Sequence, residues 1–176
     1  MTPAAAARRS AGLLLFRRTD GTDGTDGTDG TEQGHHGDDG IEVLLGHMGG
    51  PFFARRDAGA WTVPKGEYEP DEPAWDAARR EFQEELGLPP PDGEPVPLGE
   101  VTQTNGKIVT VWAVEADLDP TAVVPGTFTM EWPRGSGQVQ EFPELDRVEW
   151  LDMNRARAVL IKAQAEFLDR LERHTR

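Results

Sequence analysis

The chain has 176 residues, no cysteine and a net charge of −14 at pH 7, from 32 acidic and 18 basic side chains. That length suits one domain with its own core, and the missing cysteines exclude disulfides and zinc–thiolate sites, as expected of a protein in a reducing cytoplasm. The acidic surplus argues against broad binding to nucleic acid or anionic membrane, since no basic surplus remains to release counterions from a phosphate backbone, while a small phosphate ligand stays allowed because metal reverses the local field.

In "MTPAAAARRSAGLLLF" the apolar run after the arginines is only Ala11 to Phe16, and no small-residue cleavage site follows it. It is too short for a secretory signal, so a first strand over Ser10–Arg17 is predicted. No segment approaches the length of a membrane span. The repeat "TDGTDGTDGTDGT" at 19–31 runs into "EQGHHGDDG" with almost nothing apolar, which predicts a disordered loop insertion over about 19–40. A calcium β-helix repeat needs an apolar position that this unit lacks. His35 and His36 have no third partner at useful spacing and read as loop residues.

A second strand is expected over Ile41–Met48, and "AWTVPKG" (60–66) reads as a short strand that Pro64 and Gly66 turn into the next element. From Pro73 to Leu86 the apolar Trp75, Ala78, Phe82 and Leu86 recur at spacings of three and four, one stripe of an α-helix. Gly87 suits the residue past its end, and Trp75 and Phe82 are expected to hold it to a sheet. After the turn-rich "PPPDGEP", strands are expected near Val96–Gln103 and Lys107–Ala116. "TFTMEWPRGSGQVQEFPELDRVEWL" reads as strand, exposed loop and strand. An amphipathic helical region, whole or broken in two, follows from Asp152, its N-cap, to Arg173.

"REFQEEL" places Glu81, Glu84 and Glu85 at i, i+3 and i+4, on one helical face. Like charges so spaced cost an isolated helix about 0.2 to 0.5 kcal/mol per pair. Arg80 cannot neutralise three acids. Spacing alone leaves two explanations level: a solvated acidic face, or a carboxylate cage for a hard divalent cation such as Mg²⁺.

The flanking residues break the tie. Gly66, Glu72 after five intervening residues, Arg80-Glu81, Phe82, Gln83, Glu84-Glu85, Leu86, Gly87 and Leu88 match every defining position of the Nudix box. Residues 66 to 88 resemble that box without departure, and a wider resemblance covers about residues 10 to 160. It implies an α/β/α sandwich with a mixed sheet, one Nudix domain over 1–176, and hydrolysis of a nucleoside diphosphate linked to X. It also implies Mg²⁺, with Mn²⁺ possible in its place, held by Glu81, Glu84, Glu85 and the Lys65 carbonyl. Arg80 would orient the carboxylates and pair with Glu72. "IEVLLGHMGGPFF" and "EFPELDRVEWL" are similar to a bacterial subgroup of nucleoside triphosphate pyrophosphohydrolases, whereas "WTVPKG" looks like the lead-in of dinucleoside and inositol polyphosphate members. X is therefore open, nucleoside triphosphates and dinucleoside polyphosphates being the first expectations. A nucleotide-sensing domain without turnover is the alternative, which the intact triad of acids disfavours.

Many Nudix enzymes bring a further carboxylate from the region before the late tryptophan. Here Glu144 stands six residues before Trp150 and is the first choice as metal ligand or general base, with Glu141 upstream and Glu81 as the alternative base. Lys65, Lys107, Arg55 and Arg56 are candidates for phosphate, and Trp132 or Phe53 for stacking on a base. Solvated surface charge and core packing are their ordinary alternatives.

Overall fold

The computed structural model describes residues 6–19 and 40–176. The repeat loop, His35 and His36 lie outside these residues. The first strand, β1 (Arg9–Arg18), runs antiparallel to β2 (Ile41–Met48) through Phe16↔Val43 and parallel to β6 (Ile108–Glu115) from Arg9 to Phe16. Its "LLLF" run is buried on both faces, because helices cover both sides of the sheet and remove the alternation a half-exposed strand would show.

β1 and β2 pair only at one end, and the segment after the 49–60 loop enters the wedge where they part. There β3 (Trp61–Thr62) pairs with Gly46 and His47 of β2, and β4 (Lys65–Glu67) pairs with Ser10–Gly12 of β1. This insertion brings Lys65 and Gly66 into the middle of the sheet. The outer strands are β5 (Val96–Thr102), antiparallel to β6, and β9 (Leu145–Asp152), antiparallel to β2.

α1 (Ala74–Leu86) covers one face, with Phe82 and Leu86 fully buried against Leu13, Leu15, Leu44 and Val114. Burying each such side chain contributes about 1.5 to 3 kcal/mol. Trp75 is half-buried and meets Trp112 edge-on at 5.4 Å. On the opposite face α2 (Met153–Val159) and α3 (Ala165–Thr175) bury Met153, Phe167, Leu168 and Leu171 against Leu14, Val43 and Val111. The result is the expected α/β/α sandwich with a mixed sheet. The Asp152 side chain caps α2 by accepting from the Arg155 N–H at 2.8 Å.

Two boundaries differ from the sequence reading. Pro73 is extended and precedes α1 instead of opening it. "QVQEFPELDRVEWL" is two strands, not one: β7 (Thr127–Glu131) and β8 (Val139–Pro143) form a separate hairpin, and β9 begins only at Leu145. The break falls at Glu144, where Pro143 offers no N–H to continue a ladder. Among the described residues no helix is long and apolar enough to cross a membrane.

Candidate active site

Gly66 is where the sheet and the acidic helix touch. It lies within β4 opposite Ala11, and a methyl group built on it would overlap the Glu81 carboxylate. The sequence reading made Gly66 a turn residue. The structure makes it a gap through which Glu81 reaches the sheet, the close-approach use of glycine. Gly87 does end the helix as expected, with φ 67° and its N–H on the Gln83 carbonyl.

Arg80 organises the acids. Its Nε and Nη2 donate to Glu72 Oε1 and Oε2 at 2.8 and 2.9 Å, a two-pronged clamp across the helix start. Its Nη1 donates to Glu81 at 2.7 Å and to both Glu84 oxygens at 3.2 Å. The Glu72 hydrogen bonds lead in holding the guanidinium above its ordinary range and Glu72 below its own.

Glu85 points inward instead, its Oε2 accepting the Lys65 backbone N–H at 2.9 Å. A relay of backbone hydrogen bonds then brings in a fourth acid. Gly126 N–H donates to the Glu85 carbonyl at 3.3 Å, Glu144 N–H to the Gly126 carbonyl at 2.8 Å, and Gly49 N–H to the Glu144 carbonyl at 2.9 Å. A methyl group on Gly126 would stand 2.8 Å from the Glu84 carbonyl and 3.4 Å from Glu144 Oε2. Sequence reasoning missed Gly126. Its only signal is the Pro-Gly step at 125–126, which reads equally as an ordinary turn.

The carboxylates strain against their surroundings. Burial is the main cause that raises Glu85 to about 8, Glu81 above its usual range and Glu144 likewise, and mutual repulsion adds to each. Burial also lowers the Lys65 ammonium, opposed by the negative charge of Glu85. This donor set is all oxygen and under-neutralised, which fits a hard divalent cation. Among the described residues no group of three or more such side chains is already arranged around a metal position. Arg80 takes up part of Glu81 and Glu84, and the Lys65 N–H takes up part of Glu85.

A family profile for the NUDIX domain matches residues 35–171. The chain belongs to the Nudix family. It is a Nudix hydrolase, of the class that acts on nucleotide phosphoanhydride bonds. Its fold is similar to that of a C. elegans Ap4A hydrolase binary complex, with TM-score 0.59 and 20% identity over 96% of this chain and 98% of that one. It is similar also to the NUDIX domain of Shewanella oneidensis NrtR complexed with ADP ribose, with TM-score 0.56 and 13% identity over 97% and 90%. For a MutT protein from Methanosarcina mazei Go1 the TM-score is 0.52 and the identity 18%, over 98% and 99%. At these identities the likeness is one of fold. Comparison with curated proteins gives no match.

Around this Nudix box the remaining candidates separate. Lys107 lies beside it, pairing through Nζ with Glu67 Oε1 at 2.8 Å, and that contact leads in lowering the Glu67 carboxyl. Glu67 itself escaped the sequence reading because its role depends on which strand adjoins β4. Glu141 is exposed on β8 opposite Thr129, apart from the box acids. Arg55 and Arg56 are exposed in the loop after β2, and the Arg56 carbonyl accepts from His47 Nε2 at 2.6 Å. Trp132 is half-buried at the tip of the β7–β8 hairpin and packs edge-on against Phe52 at 5.4 Å, while Phe53 packs on the core.

Proposed function

We propose that this Nudix hydrolase is an Mg²⁺-dependent pyrophosphohydrolase, Mn²⁺ serving in its place, that cleaves a phosphoanhydride bond in a nucleoside diphosphate linked to X. Nucleoside triphosphates and dinucleoside polyphosphates are the leading substrates, met in the cytoplasm by one domain spanning the chain. The observation that carries this reading is the convergence of Glu81, Glu84 and Glu85 with Glu144 from another segment, three of the four held above the ordinary carboxyl range.

In this reading Glu81, Glu84, Glu85 and the Lys65 carbonyl would hold the cation, leaving Glu144 free to act as base. When bound, it neutralises charge on the phosphate oxygens and lowers the pKa of the attacking water. Glu144 takes the proton that water gives up as its oxygen bonds to phosphorus; the bridging P–O bond breaks and its electron pair leaves with the departing phosphate. Glu81 is the alternative base. Arg80 keeps Glu81 and Glu84 oriented from its anchor on Glu72. Lys65 and Lys107 supply positive charge on the β4 side for phosphate oxygens, with Arg55, Arg56 and Trp132 as more distant candidates.

³¹P NMR of a panel of nucleoside triphosphates, dinucleoside polyphosphates, ADP-ribose and nucleotide sugars, with and without Mg²⁺ or Mn²⁺, tests this reading. Metal-dependent turnover that disappears in Glu84→Gln is expected. Saturable nucleotide binding with no turnover across the panel would replace the hydrolase by a sensor.

A further inference from the structure

Gln164 is fully buried, in the 3-10 turn Lys162–Gln164 that joins α2 to α3 on the face of the sheet away from the box helix. A buried amide costs free energy unless both of its ends are satisfied, and here both are. Its Oε1 accepts the Val63 backbone N–H at 2.9 Å, and its Nε2 donates to Thr62 Oγ1 and to Gln103 Oε1, each at 3.0 Å. A backbone N–H can only donate, so Val63 fixes which way the amide faces and turns its nitrogen towards Gln103. The turn is itself anchored to β3: Ile161 N–H donates to the Trp61 carbonyl at 2.9 Å, and Gln164 N–H to the Ile161 carbonyl at 2.8 Å.

Each end of the amide leads to a lysine. At one end, only Val63 and Pro64 stand between β3 and Lys65. Pro64 has no N–H, so the two donors that flank it hold this connector: Val63 N–H on Gln164, and Lys65 N–H on Glu85 Oε2 at 2.9 Å. Between them the Pro64 carbonyl accepts from Leu13 N–H at 3.1 Å. Three successive residues are thus pinned from three directions, by the 3-10 turn, β1 and α1. At the other end, Gln103 closes the turn between β5 and β6, its N–H donating to the Lys107 carbonyl at 2.9 Å. The Lys107 ammonium then reaches β4 at Glu67.

We infer that Gln164 is a positioning residue: its one buried amide sets the segments of Lys65 and Lys107 relative to each other from the far face of the sheet. It touches neither metal nor substrate. The inference rests on the pyrophosphohydrolase reading above, in which the Lys65 carbonyl meets the cation and Lys107 meets phosphate. Cutting the Val63 end loosens the cation, and cutting the Gln103 end loosens phosphate alone.

Two variants separate the ends. Gln164→Met keeps the length and removes both sets of hydrogen bonds, while Gln103→Leu, at a half-buried position, removes only the second. Mn²⁺ uptake by electron paramagnetic resonance and ADP binding by calorimetry with Mg²⁺ present are read for each, with Tm alongside. Gln164→Met should weaken Mn²⁺ about tenfold or more, the usual cost of losing a partner behind a metal ligand, and weaken ADP with it. Gln103→Leu should leave Mn²⁺ within about twofold and weaken ADP about fivefold, the scale of one hydrogen bond. A lower Tm with both affinities at wild-type values would make Gln164 a packing residue and overturn the inference, as would equal losses of Mn²⁺ affinity in the two variants. If Gln164→Met does not fold, Gln103→Leu decides: ADP held as by the wild type overturns the inference, and weakened ADP with Mn²⁺ unchanged upholds it. A wild type that takes up no Mn²⁺ would instead bring down the pyrophosphohydrolase reading itself.

Discussion

The Glu81 carboxylate occupies the space that a side chain on Gly66 would need. The obstacle is the far end of a flexible side chain, so Gly66→Ala should fold and push Glu81 aside. Activity should fall about 100-fold, the usual cost of misplacing a reacting group by an ångström. Thermal denaturation alongside kinetics checks it: a collapse in stability would mean that Gly66 serves the sheet and not Glu81.

Glu144 and Glu141 are three residues apart with different surroundings. Glu144 sits at the end of the backbone relay beside Glu84, while Glu141 is exposed in the hairpin. Glu144→Gln should lower kcat by about 100-fold or more, and Glu141→Gln by less than about twofold. Equal losses would remove Glu144 from the site.

Arg80→Lys keeps the charge and loses the fork. A lysine cannot hold both Glu72 oxygens while meeting Glu81 and Glu84. A drop of about tenfold or more in kcat is expected, with a stability loss of about 1 kcal/mol, since the clamp is partly exposed. Unchanged kinetics would show that charge suffices.

Divalent cation should stabilise the fold by mass action, about 2.7 kcal/mol at one hundred times Kd. Differential scanning fluorimetry with Mg²⁺ against EDTA reads this as a rise in Tm. Glu84→Gln should shrink the rise. No shift in the wild type, with nucleotide present, would refute the carboxylate cage.

Acid should loosen the 49–60 loop. The Asp57 carboxyl is lowered below 3.8, first by the Trp61 indole N–H at 2.8 Å and then by Arg155 at 2.6 Å. The unfolded chain holds that proton more tightly, so the stabilisation is complete above about pH 3.8 and is lost as pH falls through the lower folded value. Asp57→Asn should narrow the gap in Tm between pH 7 and pH 3. An unchanged gap would assign the acid lability to other carboxylates.

Much of this was legible in the chain. The period of Trp75, Ala78, Phe82 and Leu86 defines α1, the apolar runs mark β1 and β2, and the spacing from Gly66 to Leu88 carries the box, because these depend on contacts within a few turns or a single strand. Sequence also brought Glu81, Glu84 and Glu85 together, since helical geometry alone fixes their face. What it could not supply was long-range. The entry of β3 and β4 into the wedge between β1 and β2, Gly66 as a gap for Glu81, the relay from Glu85 through Gly126 to Glu144, and the pairing of Glu67 with Lys107 join segments 15 to 59 residues apart. Local propensity carries no information about such neighbours. Only packing both faces of the sheet decides which loop meets which helix, and hence how deeply each acid is buried and how its proton is held.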